Sequence, residues 1–293
     1  MAKVACLLLL ASAARAQTRP TDSLRVVPLA AVQVRPPQVF TLRPPGESKG
    51  LFSNFMALEM TPTRQVAVWH PAPDAGRRYL VRAVRVQLGS RLPENPGQVV
   101  QARRRFAEGY LALRLAGATA AGVPADTNLL AAPLLLTPAV SARSQRGWVS
   151  FDVAAQQVQM PPAGVFVVAE GFANPGERFV RSRQLLHPAD GRHPPEDYVH
   201  KPGEKLTEIF LYEEVQAAGS AATRLVLRSN YPALAQLRVA APADNHSWLH
   251  GYQPGRPHGW FKLAVHYALL RQSSPALKLT DYNYDLELEI EEL

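Results

Sequence analysis

Proline sets the terms on which this chain can fold. Twenty-six prolines and 18 glycines are spread along its 293 residues. Each proline inside a helix would remove a backbone donor and clash with the preceding turn. Helices of more than a few turns are therefore hard to place, and strands and loops are favoured. The apolar pattern points the same way. Leu80, Val84, Val86 and Leu88 alternate with Arg85 and Gln87, and Leu111, Leu113 and Leu115 alternate with Tyr110 and Arg114. This period of two is the mark of half-buried strands. Residues 164–169 are apolar on both faces apart from the leading Gly164, which predicts a central strand covered on each side. Further strands are predicted at residues 205–213, 223–228, 260–269 and 284–291, with only residues 99–107 and 153–158 permissive for helix. No repeat occurs at solenoid or propeller periods. The expected fold is all-β, an antiparallel β-sandwich or jelly roll with few short helices. A transmembrane barrel fits less well, because its strands need about 9–11 residues with a lipid-facing apolar row and aromatic girdles.

The start of the chain reads as an export signal. Lys3 precedes a short apolar run from Val4 to Ala11, and Ala14-Arg15-Ala16 supplies an A-x-A site, so residues 1–16 are expected to be cleaved. The run is shorter than the about 20 residues that span a bilayer, so no transmembrane segment is expected in the mature chain. Cys6, the sole cysteine, lies inside that signal. A lipoprotein would need Cys6 as its modified residue, with too little hydrophobic sequence before it. The mature chain would then lack thiol chemistry and disulfides, and would rest on a large buried core in the periplasm or at the cell surface. Losing Lys3 and Arg15 leaves 30 basic against 24 acidic residues, a net charge of +6 in place of +8. That mild excess argues against nucleic acid as a partner. Residues 17–46 read as an extended, proline-rich lead-in with one edge strand in the stretch 24–34, ending at Pro36-Pro37. Residues 47–293 read as the sandwich domain, with a candidate sub-boundary near residues 215–222.

Between Gly109 and Glu170 an ordered set of features stands out: Arg114-Leu115, Gly122-Val123-Pro124, Asn128-Leu129-Leu130, Gly147-Trp148, Asp152, Pro161, and Gly164-Val165-Phe166-Val167 with Glu170. In this order the chain resembles a family of uncharacterised exported β-sandwich domains of Bacteroidota, often found after carboxypeptidase-regulatory-like modules. The resemblance runs from about Ser48 to Glu170 and more faintly to Tyr212. It implies fold and compartment, and it carries no catalytic residues. This chain lacks the preceding module. Read without the family, the Gly122 segment is a tight loop, Leu129-Leu130 a plug under the sandwich, Trp148 a cap on one end of a core, and Asp152 a cap on the short segment after it.

Three clusters bear on chemistry. His187, His193 and His200 lie with Asp190, Glu196 and Asp197 in one proline-rich segment. These are metal-ligand types, but the prolines forbid the helix that would align them, so they are candidate ligands only and no metal or cofactor is assigned. His246, His250 and His258 are interleaved with Trp248, Tyr252 and Trp260. Flat rings beside polar tips suit a sugar, whose C–H face stacks while its hydroxyls seek hydrogen bonds. Trp248, His250, Tyr252 and Trp260 are the predicted ligand-binding residues; the alternative is that the tryptophans simply pack. Arginine clusters at Arg77-Arg78, Arg103-Arg104-Arg105 and Arg181 with Arg183 could meet a polyanion. At the C-terminus Asp285, Glu287, Glu289 and Glu291 alternate with apolar residues and are expected to keep a strand edge soluble.

No G-x-S-x-G serine elbow occurs. The function expected is therefore non-enzymatic: an exported envelope protein that binds a glycan or another envelope protein. A metal-dependent or carbohydrate-active hydrolase built on the His187 to His200 loop is one alternative. An accessory partner of an outer-membrane system, adding residues 29–34 to another protein's sheet edge, is a second.

Overall fold

The computed structural model describes residues 37–47, 57–89, 106–188, 202–203, 205–253, 256–273 and 281–293. The expected signal (1–16), the stretch 24–34 with the donor segment 29–34, most of the helix-permissive segment 99–107, the Arg103 cluster, His193 and His200 lie outside the described residues. All paired strands are antiparallel. A six-stranded sheet has the order β14-β13-β3-β8-β5-β6, built from β3 (Gln65–His70), β5 (Tyr110–Ala116), β6 (Leu134–Leu136), β8 (Val165–Phe172), β13 (Ser247–Gln253) and β14 (Arg256–Lys262). A four-stranded sheet has the order β1-β16-β4-β7, from β1 (Val39–Leu42), β4 (Tyr79–Gln87), β7 (Trp148–Asp152) and β16 (Leu286–Glu292). Val66, Val68, Leu111, Leu113, Leu115, Val165 and Val167 of the first share one buried core with Val81, Val84, Val86, Val149, Leu286, Leu288 and Ile290 of the second. Two open antiparallel sheets over one core make an all-β sandwich.

A smaller sheet, β15-β12-β2, adds Leu234 and Tyr284 to the same core; its strands are β2 (Ala57–Glu59), β12 (Ala233–Arg238) and β15 (Tyr282–Tyr284). The chain leaves β8 into a long hairpin of β9 (Glu177–Pro188) and β10 (Leu206–Ala217), extended by β11 (Thr223–Leu227). Residues 215–222 form the end of β10 and the turn into β11. Glu213 is buried in this hairpin, where Ser182 Oγ donates to its Oε2 at 2.7 Å and Arg228 stands 3.6 Å away. Burial nevertheless pushes its carboxyl above the usual range.

The period-two segments form the strands expected of them, and β8 is central, between β3 and β5. Asp152 Oδ1 accepts from the Ala154 amide at 2.9 Å at the start of a single 3-10 turn. Gly122 sits in a tight loop at φ +72°, closed by bonds between Thr119 and both Gly122 and Val123. Leu130 is buried, whereas Leu129 is exposed.

Three expectations change. The strand predicted over residues 260–269 ends at Lys262, and helix α2 (Leu263–Ser273) follows, after the short α1 (Pro138–Ser141). Residues 263–273 contain neither proline nor glycine, and Leu263 and Tyr267, four apart, meet the core on one helical face. Trp148 does not cap a core end. It lies half-buried on the outer face of the four-stranded sheet, with the guanidinium groups of Arg85 and Arg43 over its ring at 5.0 and 5.8 Å from the centroid.

Nor do the C-terminal acids line an edge. β16 runs between β1 and β4, and Asp285, just before it, and Glu287 are buried. Arg43 binds Asp285 through two hydrogen bonds of 2.9 and 2.6 Å. Glu287 lies 3.2 Å from Arg43 and 2.9 Å from Arg85, and Arg82 holds Glu291 at 2.6 Å. Alternation put the acids on one face, and arginines on or beside the flanking strands neutralise Asp285, Glu287 and Glu291 there.

Removing Arg43 would strand the buried carboxylate of Asp285 and leave Glu287 with Arg85 alone. Arg43→Ala is expected to cost about 2 kcal/mol, and adding Asp285→Asn should recover part of it, because the amide carries no charge to bury. Urea denaturation of the three variants checks this; equal stability of the single and double variants would contradict it.

Candidate functional site

The register across the six-stranded sheet places each outward side chain. Phe166 pairs with Trp69 and with Ala116, and Val168 with Ala67; Ala67 in turn pairs with Trp248, and Trp248 with Lys262. In the next row Gln65 pairs with His250 and His250 with Trp260. Side chains alternate along each strand, so these residues share the face turned away from the core. Ala67, Ala116, Phe166 and Val168 are buried there, under the half-buried rings of Trp69, Trp248 and Trp260. The tryptophans thus complete the second cover expected over β8.

Phe166 is the hinge of the cluster. Its ring lies 4.6 Å from Trp69 in a tilted contact and 6.0 Å from Trp248 edge to face, the arrangements aromatic quadrupoles prefer. His250 packs 5.0 Å from Trp260 and 4.6 Å from His258. Burial lowers the His250 pKa first, and the neighbouring His258 lowers it further. Lys262 Nζ stands 5.8 Å from the Trp248 ring centroid.

Trp69, Phe166 and Trp248 border an open hollow of about 450 Å³, completed by Lys262, His246 and the Gly122 loop. Its rim is held firmly. Asn245 Nδ2 donates to the Tyr282 carbonyl at 3.0 Å, and its Oδ1 accepts from the Ser247 amide at 3.1 Å. Asn283 Oδ1 accepts from the His246 amide at 2.8 Å, while its Nδ2 bonds to the carbonyls of Pro45 at 2.7 Å and Asp244 at 2.9 Å. On the far side Gly164 enters β8 at φ +120°, where any Cβ would strike the His70 carbonyl and the Trp69 ring. Only glycine lets Trp69 lie down over that corner.

Of the predicted ligand residues, Trp248, His250 and Trp260 come together on one face, but only Trp248 lines the hollow. The side chain of Tyr252 lies outside the described residues. So does that of His187, whose backbone pairs with Glu208 near the end of the long hairpin. Among the described residues no group of three His, Cys, Asp or Glu side chains is placed to hold a metal ion. Trp69 and Lys262 were not singled out from the sequence, although the alternation Gln65-Val66-Ala67-Val68-Trp69 carried the signal for the first. Phe166 was hidden in a run apolar on both faces.

His70 stands behind the site on the opposite side of β3, fully buried, with no hydrogen-bond partner for its Nε2 among the described residues. Burial, aided by His246, pushes its pKa down to about 3 from 6.5. The folded protein therefore keeps His70 neutral while the unfolded chain takes up a proton. The stability this contributes is complete above pH 6.5 and is lost as pH falls toward about 3. The loss should reach roughly 4 kcal/mol, and denaturant titrations across that window should show a flatter slope for His70→Phe. An unchanged slope would contradict it. No family model, curated protein or solved structure gives a significant match to the chain, so a reading of what this face binds rests on its chemistry.

Proposed function

We propose that the protein is a non-enzymatic, exported β-sandwich of the cell envelope that binds a glycan on the outer face of its six-stranded sheet. The observation that carries this is the trio Trp69, Phe166 and Trp248, which leaves two half-buried indoles around an open hollow of about 450 Å³. A pyranose stacks its C–H face on such a ring, and its hydroxyls meet polar tips of the kind His246 and Lys262 supply. The volume falls within the roughly 300–1,000 Å³ of small-ligand clefts. The rim bonds of Asn245 and Asn283 support the reading, because a preformed wall loses little freedom on binding. Export, read from residues 1–16, would place the face among envelope and extracellular polysaccharides.

A glycan array followed by calorimetry on the best ligand tests this. Trp248→Ala and Trp69→Ala are each expected to weaken binding by about tenfold, or ~1.4 kcal/mol. An array with no bound glycan, or tryptophan variants that bind like the parent, would overturn the proposal; retention of an envelope protein in a pull-down that loses it on Trp248→Ala would replace the glycan with a protein ligand.

A further inference from the structure

We propose that Lys262 makes this hollow selective for acidic sugars, those carrying a carboxylate or sulfate; the inference rests on the glycan reading above. Lys262 is exposed at the end of β14 and is the only Lys or Arg among the described residues lining the hollow, which include neither Asp nor Glu. Several cations elsewhere among the described residues are matched. Arg43, Arg82, Arg85, Arg181, Arg224 and Arg271 each face a carboxylate within 3 Å. Arg114, in the same cross-strand row on β5, is committed to the Ala125 carbonyl at 2.6 Å. Lys262 has no such ion pair among the described residues, and its Nζ sits at the Trp248 ring.

The other groups nearby do not cancel that charge. His246 is held neutral, first by its burial and then by Lys262 itself. Asp244 acts on His246 and Asp126 on His250 and Arg114, but both carboxylates are exposed and neither lines the hollow. A ring stacked on Trp248 would therefore place an anionic substituent beside one unmatched ammonium, in a setting where the indoles exclude part of the water. An uncharged sugar would gain the stacking and neutral hydrogen bonds but no charge pairing.

The test is calorimetry of the chain with a galacturonic acid trisaccharide, its methyl ester, a sulfated trisaccharide and the desulfated form. At least one anionic sugar should bind about fivefold more tightly than its uncharged counterpart. Which pair shows the difference tells carboxylate from sulfate. Lys262→Gln should abolish the preference, so that the anionic and the uncharged sugar of each pair bind equally. Arg143→Gln, which removes the same charge at an exposed position outside the hollow, should leave the preference in place. Equal affinities within both pairs, or a preference that survives Lys262→Gln, would overturn the inference while leaving the glycan reading standing, provided Trp248→Ala still weakens binding of every sugar. If no sugar binds, or Trp248→Ala changes nothing, both fall together.

Discussion

β16 is inserted between β1 and β4, so the four-stranded sheet exists only once residues near 40, near 80 and near 290 have met. Its inward row, Leu286, Leu288 and Ile290, supplies core for both sheets. Its outward side carries carboxylates, and a row of like charges buried in mid-sheet would oppose the pairing that the inward row favours. Arg43, Arg85 and Arg82 remove that conflict from both sides, and the guanidinium groups of the first two lie over the Trp148 ring. Arg43 and Asp285 lie 242 positions apart. Closing so long a loop costs entropy before any contact repays it, so this sheet forms through non-local pairing and belongs with slowly folding topologies.

The six-stranded sheet has the opposite arrangement. Its inner face is aliphatic and closed against the four-stranded sheet, while its outer face is covered by the sheet's own large side chains. Ala67 and Ala116 leave room, and Trp69, Trp248 and Trp260 lean over them. A cover made of indoles is incomplete by shape: it shields the small residues and still leaves ring faces in solvent. The same side chains cover β8 from outside and leave ring faces open, which is why reading the tryptophans as packing and reading them as ligand contacts are not exclusive.

Much of this was legible in the residues, and the failures share a cause. Alternation fixes which side chains share a face, so the strands at Leu80–Leu88 and Leu111–Leu115 and the doubly covered strand after Gly164 could be read directly. Alternation is silent about what lies beside a strand. The acids from Asp285 to Glu291 share a row whether the strand is an edge or an interior one, and only the partners Arg43 and Arg85, far away in sequence, decide between them. Helix α2 was missed for a related reason. Trp260, Phe261 and Lys262 continue the alternation of β14, and the change to helical spacing begins one residue later, at Leu263. For the site, the histidine and tryptophan cluster drew attention to β13 and β14, whereas Trp69 reaches the same hollow from a strand nearly 180 residues earlier.

The hollow also depends on polar groups that never face it. Asn245 and Asn283 spend their amides on the backbone of the rim, leaving little for a ligand. Gly164 gives up a side chain so that Trp69 can settle, and His70 fills the space beneath as a neutral imidazole. Each of these choices restricts motion of the wall and carries a folding cost in buried polar groups or chain entropy. A surface whose only task was to cover β8 could use aliphatic side chains and a mobile rim. Two indoles around a fixed opening are what the proposed sugar ligand, whose ring must be met in register, would require.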